Sequence, residues 1–257
     1  MTTKQRIGAF MTIICLILGA VGCMHTKVGV QKEMLNYLED KYGETFEVEY
    51  FDKGDFLFPE IYGGDKMLVY PTSNPNIPFY VYKNVESEGF YDIYVPSYFS
   101  YQFTQKHQQN LMNMDTREKA FKVVLTSRNR PAEARQLQRT IEDFVQDTTY
   151  RFNLHLYVAV KKEGEPDADT ETEFLYQLYT YMNELKNEGA EVYLGVAYVE
   201  PERFEEAQSL MRLAHTINFA WYLLDDEDVL NVAYFGSTND IQDNSYFMKF
   251  FNDNEVN

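Results

Sequence analysis

The spacing of apolar and polar positions changes period several times along the chain, and each change predicts an element. Val30, Met34, Tyr37, Leu38 and Lys41-Tyr42 recur at helical spacing, and Gly43 follows as a C-terminal stop. Phe46-Glu47-Val48-Glu49-Tyr50 then alternates with period two, the pattern of a strand with one wet face. Met67–Tyr70, Phe79–Tyr82 and Tyr91–Val95 predict three more strands, and Pro71, Pro75 and Pro78 punctuate the first two. A helix is expected from Tyr98 to Met114, with Phe99, Phe103, His107 and Leu111 on one stripe. The second half continues with a helix over Ala132–Gln146 after Pro131, with Leu137, Ile141, Phe144 and Val145 facing inward. Leu154–Val160 is a continuous apolar run, and Val192–Val199 is a second one. Runs that apolar belong to strands covered on both faces. Between them Glu171–Glu188 reads as a helix, with Phe174, Leu178, Met182 and Leu185 buried and a capping box from Thr170 to Glu173. Strand, helix and strand in that order make a βαβ unit, so the two runs are expected to be parallel neighbours. Pro201 opens a further helix through Phe204, Leu210 and Leu213, and Ile217–Leu224 and Val229–Phe235 predict two strands around the turn Asp225–Asp228.

The expected fold class is therefore α+β. A helix-plus-antiparallel-sheet half occupies residues 30–115, a βαβ-containing half occupies residues 116–252, and residues 253–257 form a frayed tail.

The first 29 residues follow another logic. Lys4 and Arg6 precede an uncharged run from Ile7 to Val21, and small residues lead to Gly22-Cys23. A charged start, a short apolar stretch and a small-residue exit make a secretory signal, here residues 1–22. The run is short for a spanning helix, which needs about 20 apolar residues. The ending Ala20-Val21-Gly22-Cys23 resembles the lipobox of bacterial lipoproteins, with Ala20 where that motif most often has Leu. The resemblance implies cleavage before Cys23, lipid of the palmitate type on that residue, and a chain held on the extracytoplasmic face of the cell membrane. An uncleaved N-terminal helix and an ordinary signal cut elsewhere are the alternatives. Residues 23–29 then comprise the attachment point and a short tether, Met24 to Gly29. The helix followed by Tyr37-Leu-Glu-Asp-Lys-Tyr-Gly-Glu-Thr-Phe-Glu-Val48 and a small sheet is similar to uncharacterised lipoproteins of Gram-positive bacteria, over roughly the first 100 residues. The same half is more weakly similar to PepSY-like helix-plus-sheet modules. Neither resemblance carries an activity.

Composition narrows the partners. The chain has 40 acidic and 23 basic residues, a formal net charge of -17, which becomes about -19 without Lys4 and Arg6. Phosphate backbones repel such a chain, so no nucleic acid partner is expected. Anionic headgroups repel it as well, which leaves covalent lipid as the membrane attachment. The two cysteines are Cys15, inside the discarded run, and Cys23. The mature chain would have no disulfide and no thiolate set for zinc. Aromatic residues make up 16%, mostly Tyr and Phe, which half-buried strands favour and which a carbohydrate or peptide surface would also use.

Motifs for catalysis do not emerge. His25, His107, His155 and His215 are far apart, with no His-Glu-x-x-His helix, and His107 and His155 are expected to pack rather than to bind metal. A calcium loop begun at Asp167 would need Gly and Glu where Thr172 and Leu178 stand. Gly-x-Ser-x-Gly, Ser-x-x-Lys and phosphate-loop patterns are missing, so no catalytic residue, metal or cofactor is assigned. One local contrast stands out. Arg117, Lys119, Lys122, Arg128, Arg130, Arg135 and Arg139 face only Glu118 and Glu133 in the same stretch. They are read as a candidate patch for an anionic partner, against the alternative that they pair with acidic faces of their own fold. The expectation is a non-enzymatic binding or interaction module for a protein or cell-wall component. The alternative is an extracytoplasmic enzyme acting on a cell-envelope substrate.

Overall fold

The computed structural model describes residues 29–54, 64–84, 88–127, 133–150, 152–213, 229–237 and 241–251. The signal, Cys23, Arg128, Arg130, His215, the expected strand 217–224, the acidic turn 225–228 and the tail lie outside them. The fold is α+β, with two four-stranded sheets in two compact units.

The first unit comprises a helix over residues 29–42 (α1) and the strands Phe46–Asp52 (β1), Lys66–Pro71 (β2), Phe79–Lys83 (β3) and Phe90–Asp92 (β4), in that order across the sheet. Gly43 ends α1 with φ +71° and donates its N–H to the Glu39 carbonyl, as a left-handed helix stop requires. Met34 and Leu38, one turn apart on α1, are fully buried, as are Met67, Val69 and Val81 of the sheet. β1 pairs with β2 and β3 with β4, both antiparallel, and a bulge interrupts β1 between Val48 and Tyr50. The helix is fastened to the sheet at one buried carboxylate. Asp92 accepts from Tyr37 at 2.8 Å, from Lys41 at 2.6 Å and from Tyr42 at 2.7 Å. Three donors on one carboxylate offset the cost of burying it.

The second unit is built on the sheet Lys119–Ser127 (β5), Phe152–Lys161 (β6), Val192–Val199 (β7) and Val229–Ser237 (β8). β6 and β7 are parallel, and the helix Ala168–Leu185 separates them in sequence, so the βαβ unit is present. β5 and β8 flank them in antiparallel pairings. The helices are Tyr94–Asn113 (α2), Ile141–Val145 (α3), Ala168–Leu185 (α4) and Phe204–Met211 (α5). α5 lies over Ala120, Ala159 and Ala197, three small residues that are register partners on adjacent strands. Their short side chains let the helix approach the sheet closely.

Several expectations change. β5 is a strand that the sequence reading did not predict, although Lys119-Ala-Phe-Lys-Val-Val-Leu-Thr-Ser127 has the β-branched and aromatic content of one. β4 stops at Asp92, and α2 begins at Tyr94 rather than Tyr98. Pro96 falls in the first turn of that helix, where its missing N–H costs nothing. α2 falls in the second compact unit, as does the short segment Asn76–Phe79. The continuous helix expected over 132–146 is a 3-10 turn at Ala134–Gln138 followed by α3, because Arg139 and Thr140 are extended and Thr140 caps α3 through the Asp143 N–H. α4 starts earlier, capped by Asp167 accepting from Thr170, so Thr170 is not the cap, and Leu185 is only half-buried. A 3-10 segment at Asn244–Phe250 was not foreseen; its Phe247 packs against Phe235 and Tyr179.

β5 forms one edge of its sheet, and α2 seals it. The Leu125 N–H donates to Ser100 Oγ and the Val123 N–H to Thr104 Oγ1, both at 2.9 Å. Each hydroxyl donates in turn to the carbonyl four residues earlier, Pro96 and Ser100. Four helical residues rise about 6 Å and two strand residues about 6.6 Å, so the two ladders stay in step over this length.

Candidate functional site

The basic stretch of the sequence does not form one surface in the described residues. Lys119 and Lys122 are three positions apart on β5, and strand alternation sends them to opposite faces. Arg135 pairs with Glu133 at the exposed surface. Arg139 binds Asp147, Gln136 Oε1 and the Asp143 carbonyl, closing the loop before β6. Its hydrogen bond holds the Asp147 carboxyl below the usual range. The physical reason for the dispersal is that the described cations stand on different elements: the lead into β5, β5 itself and the 3-10 turn Ala134–Gln138.

What the fold does gather is a charged cluster at the carboxyl ends of the parallel strands. Arg117, just ahead of β5, reaches Asp115 through Nε and Nη2 at 2.8 and 2.5 Å, and Glu171 Oε1 through Nη1 at 2.5 Å. Glu171 lies in the first turn of α4 and is fully buried. Lys162, one residue past β6, lies 3.4 Å from the same Glu171 oxygen. Lys119 donates to the Asp115 carbonyl at 2.5 Å, and the Arg117 guanidinium stacks 5.0 Å from the Phe174 ring. Tyr198, near the end of β7, completes the group from below. Burial works against the charge on Asp115, but the Arg117 hydrogen bonds prevail and keep its carboxyl below the usual range. Burial likewise opposes the Arg117 charge and is outweighed by Asp115 and Glu171, which hold the guanidinium protonated. Lys119 is pushed down by burial. The Tyr198 phenol is pushed up, by burial first and the Glu171 charge second.

Open α/β sheets bind ligands in the crevice beyond the carboxyl ends of their strands. Here that position is filled by side chains of the chain itself. The two carboxylates and the neighbouring cations satisfy each other, so the arrangement fixes the start of β5 to α4 and holds the βαβ unit in register. The cluster was not legible beforehand, since its members come from residues 115 to 198. The part that was legible, Arg117 and Lys119, was visible only as charge.

The two histidines among the described residues, His107 and His155, sit in packed surroundings. His155 is buried on β6, its Nε2 2.7 Å from Thr126 Oγ1 and its ring stacked 4.4 Å from Tyr193. Burial lowers its pKa to about 4, against the opposing charge of Glu191. His107 on α2 lies between Phe103 and Tyr181, with Nδ1 2.6 Å from the Tyr181 hydroxyl. Burial and then Lys106 lower its pKa as well. Among the described residues no group of three His, Cys, Asp or Glu is placed to hold a metal ion. Among the same residues no helix is long and apolar enough to cross a membrane.

No family model matches the sequence. No curated protein matches it either. Among solved structures the chain is distantly similar to a DUF5037 family protein from Ruminococcus gnavus, at 15% identity and a TM-score of 0.46, over 80% of this chain and 90% of that one.

Proposed function

We propose that the protein is a lipid-anchored lipoprotein of the extracytoplasmic face, and that its α+β units serve as a binding module for a protein or cell-wall component. The observation that carries the reading is Gly22-Cys23 at the end of an uncharged run, followed within six residues by α1. Six residues span at most about 20 Å when fully extended, so a lipid on Cys23 would hold the first unit close to the bilayer. Two or more acyl chains suffice for stable anchoring, and the strongly acidic chain has little electrostatic attraction of its own to anionic lipid. Support for binding over catalysis comes from the charged cluster of Asp115, Arg117, Lys162 and Glu171, whose groups neutralise each other instead of converging on open space.

The test is Cys23→Ala in cells, followed by fractionation and intact-mass measurement. The expected result is an uncut precursor or release from the membrane fraction, with loss of acyl label. Unchanged membrane retention together with an unchanged N-terminal mass would overturn the anchor. Cross-linking in the membrane fraction, read by mass spectrometry, should recover an envelope partner linked to the wild-type chain.

A further inference from the structure

α1 lies on one face of the first unit's sheet, fastened at Asp92. Asp92 stands opposite Val81, so alternation along β3 and β4 turns Tyr82 and its register partner Tyr91 to the other face. On β1 and β2 that second face carries Tyr50 opposite Leu68, Asp52 opposite Lys66 and Glu47 opposite Tyr70. The Tyr80 phenol is pushed up by burial first, with Lys66 opposing and Tyr50, Asp52 and Glu49 adding to it, so these groups share its surroundings.

Tyrosines dominate this face. Tyr82 stacks between Tyr80 and Tyr91, with ring centroids 5.7 and 4.9 Å apart and interplanar angles of 28° and 14°. Tyr91 ends the ladder on β4, the last strand in the sheet order, and is 46% exposed. Among the described residues its second ring face meets neither a ring nor a cation. Tyr50, at the opposite margin, is 54% exposed, while Leu68 and Tyr80 between them are buried. The face of a phenol ring attracts cations, and a planar guanidinium stacks flat against it. Charge on the same surface points the same way. Glu47, Glu49 and Asp52 line its β1 side, and Lys66, 3.1 Å from Asp52, is the cation set among them. A guanidinium is therefore offered ring faces with carboxylates beside them, and a carboxylate binds it better than it binds an ammonium. An anionic polymer meets repulsion here. The mutual stacking of Tyr80, Tyr82 and Tyr91 also occupies their inner ring faces, which leaves no flat platform for a sugar ring.

We infer that this tyrosine face docks an extended, arginine-bearing segment of a partner protein. The inference names the partner class within the binding reading proposed above and rests on it. An arginine beyond β4 continues the ring ladder on Tyr91, and one at the β1 margin stacks on Tyr50 beside Glu47 and Glu49. The rings are already held by one another, so little order is lost when the segment binds.

The experiment uses the intact chain in non-ionic detergent and a fluorescein-labelled peptide of alternating Arg and Ser, read by anisotropy. Tyr50→Ala with Tyr91→Ala leaves every charge in place and should weaken binding about 5- to 30-fold, the loss of two exposed ring–cation contacts. Tyr50→Phe with Tyr91→Phe keeps the rings and should bind as the wild type does. A Lys-Ser peptide of equal charge should bind more weakly than the Arg-Ser peptide. An Ala pair that binds as tightly as wild type overturns the inference, because charge alone then holds the peptide. Loss of binding in the Phe pair, or equal binding of a Glu-Ser peptide or of chitohexaose, overturns it too. If the wild type binds no Arg-Ser peptide while an envelope partner cross-links elsewhere on the chain, this inference falls and the binding reading stands.

Discussion

The hydroxyl seal between α2 and β5 offers the sharpest test of how this fold is held. Ser100 and Thr104 each accept one strand N–H, and the strand residues Leu125 and Val123 are buried at 3% and 0% exposure. Ser100→Ala with Thr104→Val keeps the helix and nearly keeps the volume, but it leaves two buried donors without acceptors. Each orphaned donor costs about 1–3 kcal/mol, so the double variant should lose about 2–6 kcal/mol. That is a large share of the roughly 5–15 kcal/mol that holds a typical domain folded. Thr104→Ser retains the accepting oxygen and should lose about 1 kcal/mol or less, from the missing methyl alone. Urea denaturation gives the stability, and amide hydrogen exchange at Val123 and Leu125 gives the local effect. Those two amides should lose protection out of proportion to the rest of β5. An unsealed edge also presents free donors to other chains, so the double variant should aggregate more readily during refolding. A loss below about 0.5 kcal/mol with unchanged exchange at both amides would refute the seal.

Two further variants probe the second unit. Glu171→Gln removes the carboxylate that Arg117 and Lys162 share, and it should cost about 3 kcal/mol by denaturation, the lower end for a broken buried pair because Arg117 is partly exposed. Arg117→Met with Glu171→Met should recover more than half of that loss, and a Gln variant as stable as wild type would remove the cluster from the list of structural ties. For Lys122 the folded pKa of about 7 lies below the unfolded value of 10.5. Below pH 7 both states hold the proton; between the two values the unfolded chain binds more of it, so stability rises with pH across that window. Between pH 7 and pH 9 the contribution amounts to about 2 kcal/mol, and Lys122→Met should lack it. Parallel stability curves for the two proteins would show that the amine titrates normally.

Legibility followed the range of the interactions. Where a signal is local, the chain announces it: Gly43 stops α1 through a positive φ that glycine tolerates, and the apolar runs at 154–160 and 192–199 mark the central strands. The βαβ unit followed from their spacing, since about 30 residues leave room for a helix and a parallel return. The α+β class needed nothing more. β5 was hidden because its lysines broke the apolar alternation, and their charges drew a patch reading in place of a strand. Only tertiary structure reveals that Lys119 faces the charged cluster while Lys122 points under α5.

The sequence alone thus determined the periodic elements, the parallel pair and the expectation of a lipid on Cys23, because each depends on neighbours within a few turns. Tertiary structure decided which charges meet. Arg117 finds Glu171 54 residues away and Lys41 finds Asp92 51 residues away, contacts that no window of local pattern contains. It also decided that Ser100 and Thr104 are strand partners. A hydroxyl on a helix stripe has the same local signature whether it faces water or an edge strand, and only the packing of α2 along β5 distinguishes the two.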